Sequence, residues 1–538
     1  MSEVTVVGSG PSGVHFALTL LKKGRTVRMI DAGGSGPPPV EPRMNASQLK
    51  STLADPVEYF LGQDLYGLAL PEGAGEFYGF PPQKRFVFER PSGLEERSTG
   101  FKPLSSWAEG GLARAWTAGV YPFDEAELAD FPFGFDGLKP HYEEVASRIG
   151  VIGREDDLAA FMPWHRGIGE PLRLDAQSES LMTRYAAARG RLETGARCFV
   201  GRSRLAVLTQ ADGEREACSY LARCLWGCPV GALYTPDFTL DECRRYPGFS
   251  YEPGLLVEAF EIGDDRRAHS IRVRLLADGG LESRPIETLA LASGTLSTAR
   301  LFLTSWLEAT GERPQLQGLM DNRQVLLPFI HLPRLGYRFE ADSYQYHQLS
   351  MGLPGERPDE YVHGQITTLT SAQAHPIMET MPFDLRTAGY VFRNARAALG
   401  LLNLNFHDRR RDTCGVSIDP PGERATDVPV LRTAYEPPAD EPDRMRAVLK
   451  RARRGLRALG CVVAPGATHV RPMGASVHYA GTLPMTDEQR PFTVTRECRS
   501  RDVENLFIVD GSTFPFLPAK NITFSLMANA VRVAEEAF

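Results

Sequence analysis

The sequence lacks several features that would place it in a particular environment or with a particular partner. No apolar run approaches the length of about 18 residues that a membrane span needs. No block of lysine and arginine indicates a nucleic-acid groove or an anionic membrane surface, and the formal net charge of −7 is modest for 538 residues. We therefore expect neither nucleic acid nor a membrane as a partner.

Cysteine is also scarce, and its distribution argues against a disulfide scaffold. Eight cysteines are scattered over the chain, which is typical of reduced thiols. Cys224 and Cys228 have C-x3-C spacing, but no second pair or nearby histidine completes a zinc site, and an iron–sulfur cluster needs more cysteines at close spacing. We interpret these two residues as core or loop thiols and predict no metal site.

The N-terminal residues do not have the pattern of a secretory leader segment. The first residues pass directly into the apolar run Val4–Val7, without a basic region and a cleavage site, so we expect a cytoplasmic protein. The length of the chain exceeds the size at which one hydrophobic core usually stops growing. Two closely packed domains are therefore expected.

The N-terminal segment carries the pattern of a dinucleotide-binding site. Val4–Val7 has the β-branched composition of a buried parallel strand, and G-x-G-x-x-G follows it immediately. Gly8 permits the tight turn, Gly10 lets the backbone approach a pyrophosphate, and Gly13 lets the next helix pack closely on the strand. Ser12, within the same loop, is a further candidate for contact with the cofactor.

A helix and a second strand follow at the spacing that such a site requires. Apolar residues recur at helical spacing over 14–23, and Gly24 ends the helix. Val27–Ile30 then predicts a strand that ends in Asp31. This carboxylate can accept hydrogen bonds from a ribose diol and would repel a 2′-phosphate, which argues against NADP. The pattern predicts a dinucleotide site but does not separate FAD from NAD.

Later segments extend this prediction. The region near 37–110 is rich in glycine, proline and charge, and we interpret it as an excursion over the cofactor. The segment that begins at Gly110 and Gly111 either passes backbone close to a flat ring or forms a packed turn. Residues 286–300 predict a small-residue strand, a turn at Gly294 and the start of a helix, which brings backbone to the cofactor.

Other elements are predicted in less detail. Residues 136–153 have apolar side chains at helical spacing, and Pro140 is suited to the first turn of that helix. Alternating runs within 321–467 indicate antiparallel strands.

In chain order these segments resemble the glucose–methanol–choline (GMC) oxidoreductases. The glycine motif, the segment at Gly110, "FDGLKPHYEEV" and "LALASGTLSTARLFLTS" occur in the order that the family uses. The resemblance implies an α/β fold, α+β overall, with a Rossmann-like FAD-binding domain assembled from discontinuous segments and a substrate domain built on an antiparallel sheet. It assigns two sets of ranges: 1–150, 200–300 and 468–538 to the FAD-binding domain, and 151–199 and 301–467 to the substrate domain.

Two details of the cofactor follow from the resemblance. Val257 is similar to the residues of a family strand whose backbone meets the adenine, although a plain core strand fits this apolar run equally well. Ala115 stands where sugar-oxidising relatives carry a histidine that holds FAD covalently. The resemblance therefore implies non-covalent FAD.

The C-terminal region resembles the two closing motifs of the family. Residues 476–485 are similar to H-x-x-G-T-x-x-M, and residues 505–532 are similar to the closing strand, loop and helix. Alcohol oxidation removes the O–H proton as well as the C–H hydride, and histidine titrates nearest neutral pH, so His478 is the candidate base. The flavin accepts the hydride. By position, Asn521 matches a family residue, His or Asn, that hydrogen-bonds the same substrate oxygen.

The resemblance also implies further contacts around the flavin. Asp510, Gly511 and Ile522 are expected to contact the cofactor. Asn521 is a favoured N-cap for the helix predicted from Ile522, whose N-terminal dipole would stabilise negative charge on the reduced ring. Lys520 stands where relatives have a small residue, which makes it a candidate to enter the substrate pocket.

These observations predict FAD-dependent oxidation of a primary or secondary alcohol of a sugar, aminosugar or other hydroxylated small metabolite, with oxygen or another compound as electron acceptor. Two alternatives stay open: a flavin-dependent reductase or isomerase, and a nucleotide-binding module without turnover. Five further histidines lack motif spacing and are interpreted as structural, with one of them a candidate to face the substrate: His331, His347, His363, His375 and His407.

Overall fold

The helices of the protein come from every part of the chain. A computed structural model describes residues 3–37, 43–68, 80–163, 166–369, 374–379, 381–419, 428–463 and 466–538, so parts of the predicted excursion near 37–110 lie outside the described residues. The α-helices of the described residues are α1 (Pro11–Lys22), α2 (Ala46–Thr52), α3 (Pro56–Leu61), α4 (Phe135–Ile149), α5 (Ala176–Ala196), α6 (Pro236–Arg244), α7 (Thr295–Thr310), α8 (His375–Glu379), α9 (Leu385–Ala395), α10 (Glu441–Ala458) and α11 (Thr523–Ala537). None of them combines the length and hydrophobicity that a membrane crossing requires.

The strands alternate with these helices. They are β1 (Glu3–Val7), β2 (Thr26–Ile30), β3 (Glu96–Thr99), β4 (Val151–Ile152), β5 (Ile168–Gly169), β6 (Phe199–Arg202), β7 (Phe249–Glu252), β8 (Leu255–Ile262), β9 (Ala268–Leu275), β10 (Leu281–Pro285), β11 (Thr288–Leu291), β12 (Leu316–Gln317), β13 (Gln324–His331), β14 (Leu349–Leu353), β15 (Val362–Thr368), β16 (Leu399–Asn405), β17 (Asp408–Arg409), β18 (Gly415–Asp419), β19 (Val430–Ala434), β20 (Cys461–Val463), β21 (His469–Val470), β22 (Leu506–Ile508) and β23 (Phe516–Leu517). The prediction of a mixed helix and sheet fold is confirmed.

A five-stranded parallel sheet gathers strands from distant parts of the chain. Its order is β22-β11-β1-β2-β7, and every neighbouring pair is parallel. Val7 pairs with both Ile30 and Leu291, so the carboxyl ends of β1, β2 and β11 meet at one edge. Helix α1 packs against α11 and α6, and α11 also packs against α4. The predicted strand, helix, strand order at the N-terminus is confirmed.

A seven-stranded antiparallel sheet forms the second large layer. Its order is β20-β13-β16-β15-β14-β6, with β21 also paired to β13. The two faces of this sheet differ in polarity, because successive side chains of a strand point to opposite sides. Val325, Ile366 and Leu402 belong to a hydrophobic core of their own, which includes residues of α5 and α10. The opposite face carries polar residues, described below.

Smaller sheets complete the fold. The antiparallel sheet β10-β9-β8 packs through β8 on α7. A further sheet has the order β12-β18-β19-β3, and β17-β23 and β4-β5 form two-stranded pairs.

One sequence prediction is wrong. Helix α4 begins at Phe135, one residue earlier than the predicted stretch, and Pro140 lies inside the helix and not in its first turn. The assignment of residue ranges to two domains stays a prediction.

Candidate active site

One cavity joins the two large sheets. Its volume is about 460 Å³, and its walls come from the carboxyl ends of the parallel strands at one end and from the polar face of the antiparallel sheet at the other. It lies within the size range of small-molecule and cofactor sites. Most of the predicted site residues line it: Gly8, Gly10, Ser12, Asp31, Gly111, Val257, Gly294, His478, Asp510, Gly511, Asn521 and Ile522. Gly13 and Gly110 are not among the lining residues.

The glycines of the N-terminal loop serve two different needs. A side chain at Gly8 would stand 2.6 Å from the carbonyl oxygen of Ala292, and the φ angle of Gly8 is +104°. A side chain at Gly13 would collide with the carbonyl of Gly8. Gly10 differs, because its nearest neighbour is the Ala292 oxygen at 4.0 Å and the residue lines the cavity. Packing therefore requires Gly8 and Gly13, whereas Gly10 leaves space that a ligand can use.

Asp31 lies at the end of β2, beside this loop. Its carboxylate accepts hydrogen bonds from the backbone N–H groups of Ser9 and Gly33, the latter at 2.6 Å. Burial raises the pKa of Asp31 to about 6. Ser9 also accepts a hydrogen bond from the backbone of Gly110 at 3.0 Å. Gly110 is thereby held against the glycine loop, although it does not itself line the cavity.

Asp510 connects the loop after β22 to the start of α7. One carboxylate oxygen accepts hydrogen bonds from Gly294 N–H at 3.0 Å and from the Thr298 hydroxyl at 2.6 Å. The other accepts from Ser512 N–H at 3.0 Å. Asp510 lines the cavity, but its oxygens already serve the protein, so its first role is to position backbone. A side chain at Gly294 would meet no atom within 4 Å, which leaves this backbone open to a ligand.

The cavity contains groups that suit a dinucleotide. Open backbone at Gly10 and Gly294 provides a cradle that side chains would fill, and Asp31 offers a hydrogen-bond acceptor. Arg300 also lines the cavity, and its buried Nη1 has no hydrogen-bond partner among the described residues. Such a buried donor without a partner is costly, and a ligand acceptor would satisfy it. The residues therefore fit FAD. Among the described residues, no group of His, Cys, Asp and Glu side chains is arranged to hold a metal ion.

His478 is buried and lines the cavity. Its ring Nδ1 lies 2.9 Å from Oδ1 of Asn322, and its backbone N–H donates to the hydroxyl of Ser476 at 3.0 Å. Burial, with a smaller contribution from the nearby Arg471 guanidinium, lowers the pKa of His478 to about 4. The imidazole is therefore neutral near pH 7 and can accept a proton.

Asn521 lines the cavity together with His478. Its Oδ1 accepts a hydrogen bond from Nε2 of Gln365 at 2.7 Å. With the oxygen occupied, the amide presents its N–H donors to the remaining space. The prediction that Asn521 caps α11 is wrong: the helix begins at Thr523, Ile522 occupies the N-cap position, and no side chain caps it.

Lys520 does not enter the cavity. Its buried ammonium group forms an ion pair with Glu127, lies 3.4 Å from a carboxylate oxygen of Asp124 and donates to the carbonyl of Pro122 at 3.1 Å. The proposal that it contributes to the pocket is therefore wrong. The charge is neutralised by acidic residues far away in the sequence.

The other histidines stand apart from the cavity. Among its described lining residues, His478 is the single histidine. None of the five candidates faces it: His331, His347, His363, His375 and His407. The structural interpretation of these five fits their positions.

The sequence motifs missed the polar wall opposite the glycine loop. Gln324, Gln365 and Asn403 lie on β13, β15 and β16, on the face opposite the hydrophobic core. Gln365 and Asn403 are direct cross-strand partners. The one available signal was the alternation of these polar residues with apolar neighbours.

Comparison with known proteins finds a family model that matches part of the chain. Residues 410–530 match the model of the family described as GMC oxidoreductase. The fructose dehydrogenase large subunit of Gluconobacter japonicus is 22% identical over an alignment that covers 99% of this chain and 97% of the relative.

Solved structures share the fold over the whole chain. Pyridoxine 4-oxidase from Mesorbium loti superposes with a TM-score of 0.62 and 17% identity, covering 100% of this chain and 99% of the other. An FAD-dependent oxidoreductase from Chaetomium thermophilum gives a TM-score of 0.58 and 14% identity, covering 99% and 98% of the two chains.

Proposed function

We propose that this chain is a GMC oxidoreductase that uses non-covalent FAD and His478 to oxidise an alcohol group of a small hydroxylated metabolite, as the family match over residues 410–530 and the similar proteins suggest. The observation that carries the proposal is a single cavity that contains both the glycine loop and the pair His478 and Asn521.

The cofactor is assigned from the fit of the cavity. Gly10 and Gly294 would leave room for the cofactor, Asp31 would accept hydrogen bonds from its ribose, and Arg300 would find an acceptor there. One of the structural relatives is an FAD-dependent oxidoreductase. When bound, FAD supplies the group that accepts the hydride. Ala115 lines the cavity and offers no atom for a covalent bond, which supports non-covalent binding.

The protein supplies the proton chemistry. An alcohol gives up its hydride readily only while it loses the hydroxyl proton, so a neutral base must face the oxygen. His478 is neutral at physiological pH because burial lowers its pKa to about 4. The N–H groups of Asn521 would donate to the same oxygen as negative charge develops there. One residue takes the proton and the other stabilises the charge that remains.

The side chains that line the cavity suggest a class of substrate. The carboxamides of Gln324, Gln365 and Asn403 can donate to and accept from hydroxyl groups. Such a wall suits a polyhydroxylated molecule, and two relatives are named for fructose and pyridoxine. We propose a sugar, an aminosugar or a similar hydroxylated metabolite as substrate, with oxygen or another compound as electron acceptor.

Two measurements test this proposal. Acid denaturation of the purified protein should release all flavin into the supernatant as FAD, and flavin left on the precipitate would contradict non-covalent binding. Anaerobic mixing with a library of polyols, sugars and aminosugars should then bleach the flavin absorbance. Bleaching by NADH or NADPH but by no alcohol would instead favour a reductase, and no bleaching by any donor would favour a nucleotide-binding module.

A further inference from the structure

Asn322 is a buried residue that lies two positions before the first residue of β13 and outside every sequence motif. Its side chain is 1% exposed. Its Nδ2 donates to the backbone carbonyls of Phe406 at 2.8 Å and Pro518 at 2.9 Å. Because a carbonyl oxygen accepts and never donates a hydrogen bond, these two contacts fix which end of the amide is nitrogen. The orientation of the Asn322 carboxamide is therefore determined by backbone from two other segments.

This orientation determines what His478 meets. The atom of Asn322 that faces the ring is Oδ1, 2.9 Å from Nδ1 of His478. An amide oxygen is an acceptor only, so Nδ1 must carry the proton of the neutral imidazole. Nε2 then holds the lone pair. The ring thus has one hydrogen-bonded nitrogen and one nitrogen able to take a proton.

We propose that Asn322 is a positioning residue that holds His478 as the Nδ1-protonated tautomer, so that Nε2 is the atom that accepts the substrate hydroxyl proton. The inference rests on the proposed function of His478 as base. It adds the identity of the accepting atom and of the residue that selects it. When Nε2 takes the proton, the imidazolium keeps its Nδ1–H bond to Asn322, and the alcohol oxygen retains the electron pair of the broken O–H bond.

The other groups around His478 do not provide the same selection. Arg471 acts on the ring through its positive charge, whereas His363 is neutral near pH 7, because burial lowers its pKa well below the usual value. Asp321 acts on the backbone: its carboxylate accepts from the hydroxyl of Ser476, which in turn accepts from the backbone N–H of His478. The contact with Asn322 is made to one named ring nitrogen, Nδ1, and therefore distinguishes the two nitrogens.

The first test reads the tautomer directly and needs no substrate. We expect the ¹⁵N spectrum of histidine-labelled holoenzyme, with the His478 signals identified by their loss in His478→Ala, to show protonated Nδ1 and unprotonated Nε2 near pH 7. A proton on Nε2 in the wild-type protein would overturn the inference, whatever happens to the rates.

The second test changes Asn322. Asn322→Leu should keep FAD but slow flavin reduction on the order of tenfold, with both tautomers of His478 visible, because the acceptor is gone. Asn322→Asp keeps an acceptor and adds negative charge, so it should retain the Nδ1–H tautomer and move the ascending limb of the pH profile to higher pH. A wild-type rate, pH profile and tautomer in Asn322→Leu would refute the inference.

Asn505 provides a matched control. It is 5% exposed and its Nδ2 also donates to two backbone carbonyls, those of Ala268 and Glu287, both at 2.8 Å, outside the cavity lining. Asn505→Leu should lower the melting temperature without moving the pH profile or the His478 tautomer. If Asn322→Leu does not fold, the wild-type spectrum and the Asn322→Asp variant still test the inference. A wild-type rate in His478→Ala would show instead that the proposed function has failed.

Discussion

The two ends of the cavity are built by different means. At the end formed by the parallel sheet, the walls are backbone, made accessible by glycines such as Gly10 and Gly294. At the end formed by the antiparallel sheet, the walls are carboxamide side chains such as Gln365 and Asn403. Backbone at a strand end presents N–H and C=O groups that do not depend on the side chains, whereas side chains can be exchanged one at a time. The first end suits a constant cofactor and the second a particular substrate.

Filling the open space at Gly10 should have the largest effect. We expect Gly10→Val to abolish FAD binding, because the added side chain would occupy the cavity where the pyrophosphate must lie. The flavin content of the purified variant, measured by absorbance, checks this. Gly190→Val is the control, since Gly190 is exposed on α5 with no atom within 4 Å of an added side chain. Full FAD occupancy in Gly10→Val would remove the cofactor from this end.

Removing the base should slow the reaction and leave the end formed by the parallel sheet intact. We expect His478→Ala to retain FAD and to slow flavin reduction by at least about a hundredfold, the lower range for general-base catalysis. Stopped-flow reduction under anaerobic conditions measures this directly. Loss of FAD from the variant would show that the two ends are not separable in the way described.

The pH dependence sharpens the same comparison. The pKa of His478 is lowered to about 4, so the base is protonated and inactive below that pH and neutral above it. Flavin reduction in the wild type should therefore rise about tenfold per pH unit below about 4 and level off above it. His478→Ala should lack this limb. An unchanged limb in the variant would assign the titration to another group.

Asn521 should contribute less than His478. Asn521→Ala should keep FAD and lose on the order of tenfold to a hundredfold in the rate of flavin reduction, since one hydrogen bond to an oxygen that gains charge is worth roughly 1.5–3 kcal/mol. Single-turnover kinetics with the best alcohol of the library measures the loss. A wild-type rate with every alcohol would exclude Asn521 from the site.

Gln365 should have the smallest effect, because it acts through Asn521. Gln365→Leu removes the hydrogen bond at 2.7 Å that holds the Asn521 amide, and a loss of roughly two- to tenfold in the same rate is expected. The double variant with Asn521→Ala is the control. If Gln365 acts only by holding Asn521, the double variant should be no slower than Asn521→Ala, and additive losses would indicate a separate role for Gln365.

The sequence could predict the first end much better than the second. The turn at Gly8, the approach at Gly10 and the acid at Asp31 lie within one short segment, so their geometry is local and their spacing is diagnostic. His478 and Asn521 could be found because they stand in motifs. The parallel pair of β1 and β2 follows from the same local pattern.

Residues whose role depends on distant partners could not be predicted. Asn322 contacts backbone from two other segments, and the sequence contains no record of that packing. Lys520 shows the same limit: its position in the sequence indicated the substrate pocket, but its ammonium group forms an ion pair with Glu127 instead. Asparagine is a favoured helix N-cap, yet the side chain of Asn521 accepts a hydrogen bond from Gln365 instead. For Asn521, a long-range contact overrode a local propensity.

The strand order of the parallel sheet has a consequence for how the protein is made. Leu289 of β11 pairs with Leu506 of β22, and β11 itself pairs with β1. A ribosome therefore releases β1 and β2 long before β11 exists, and β22 follows later still. Strands joined over such distances assemble slowly, and their unpaired edges remain exposed in the meantime. The parallel sheet can consequently be completed only after β22 has been made, and we expect the cavity at its edge to enclose a cofactor only after that point.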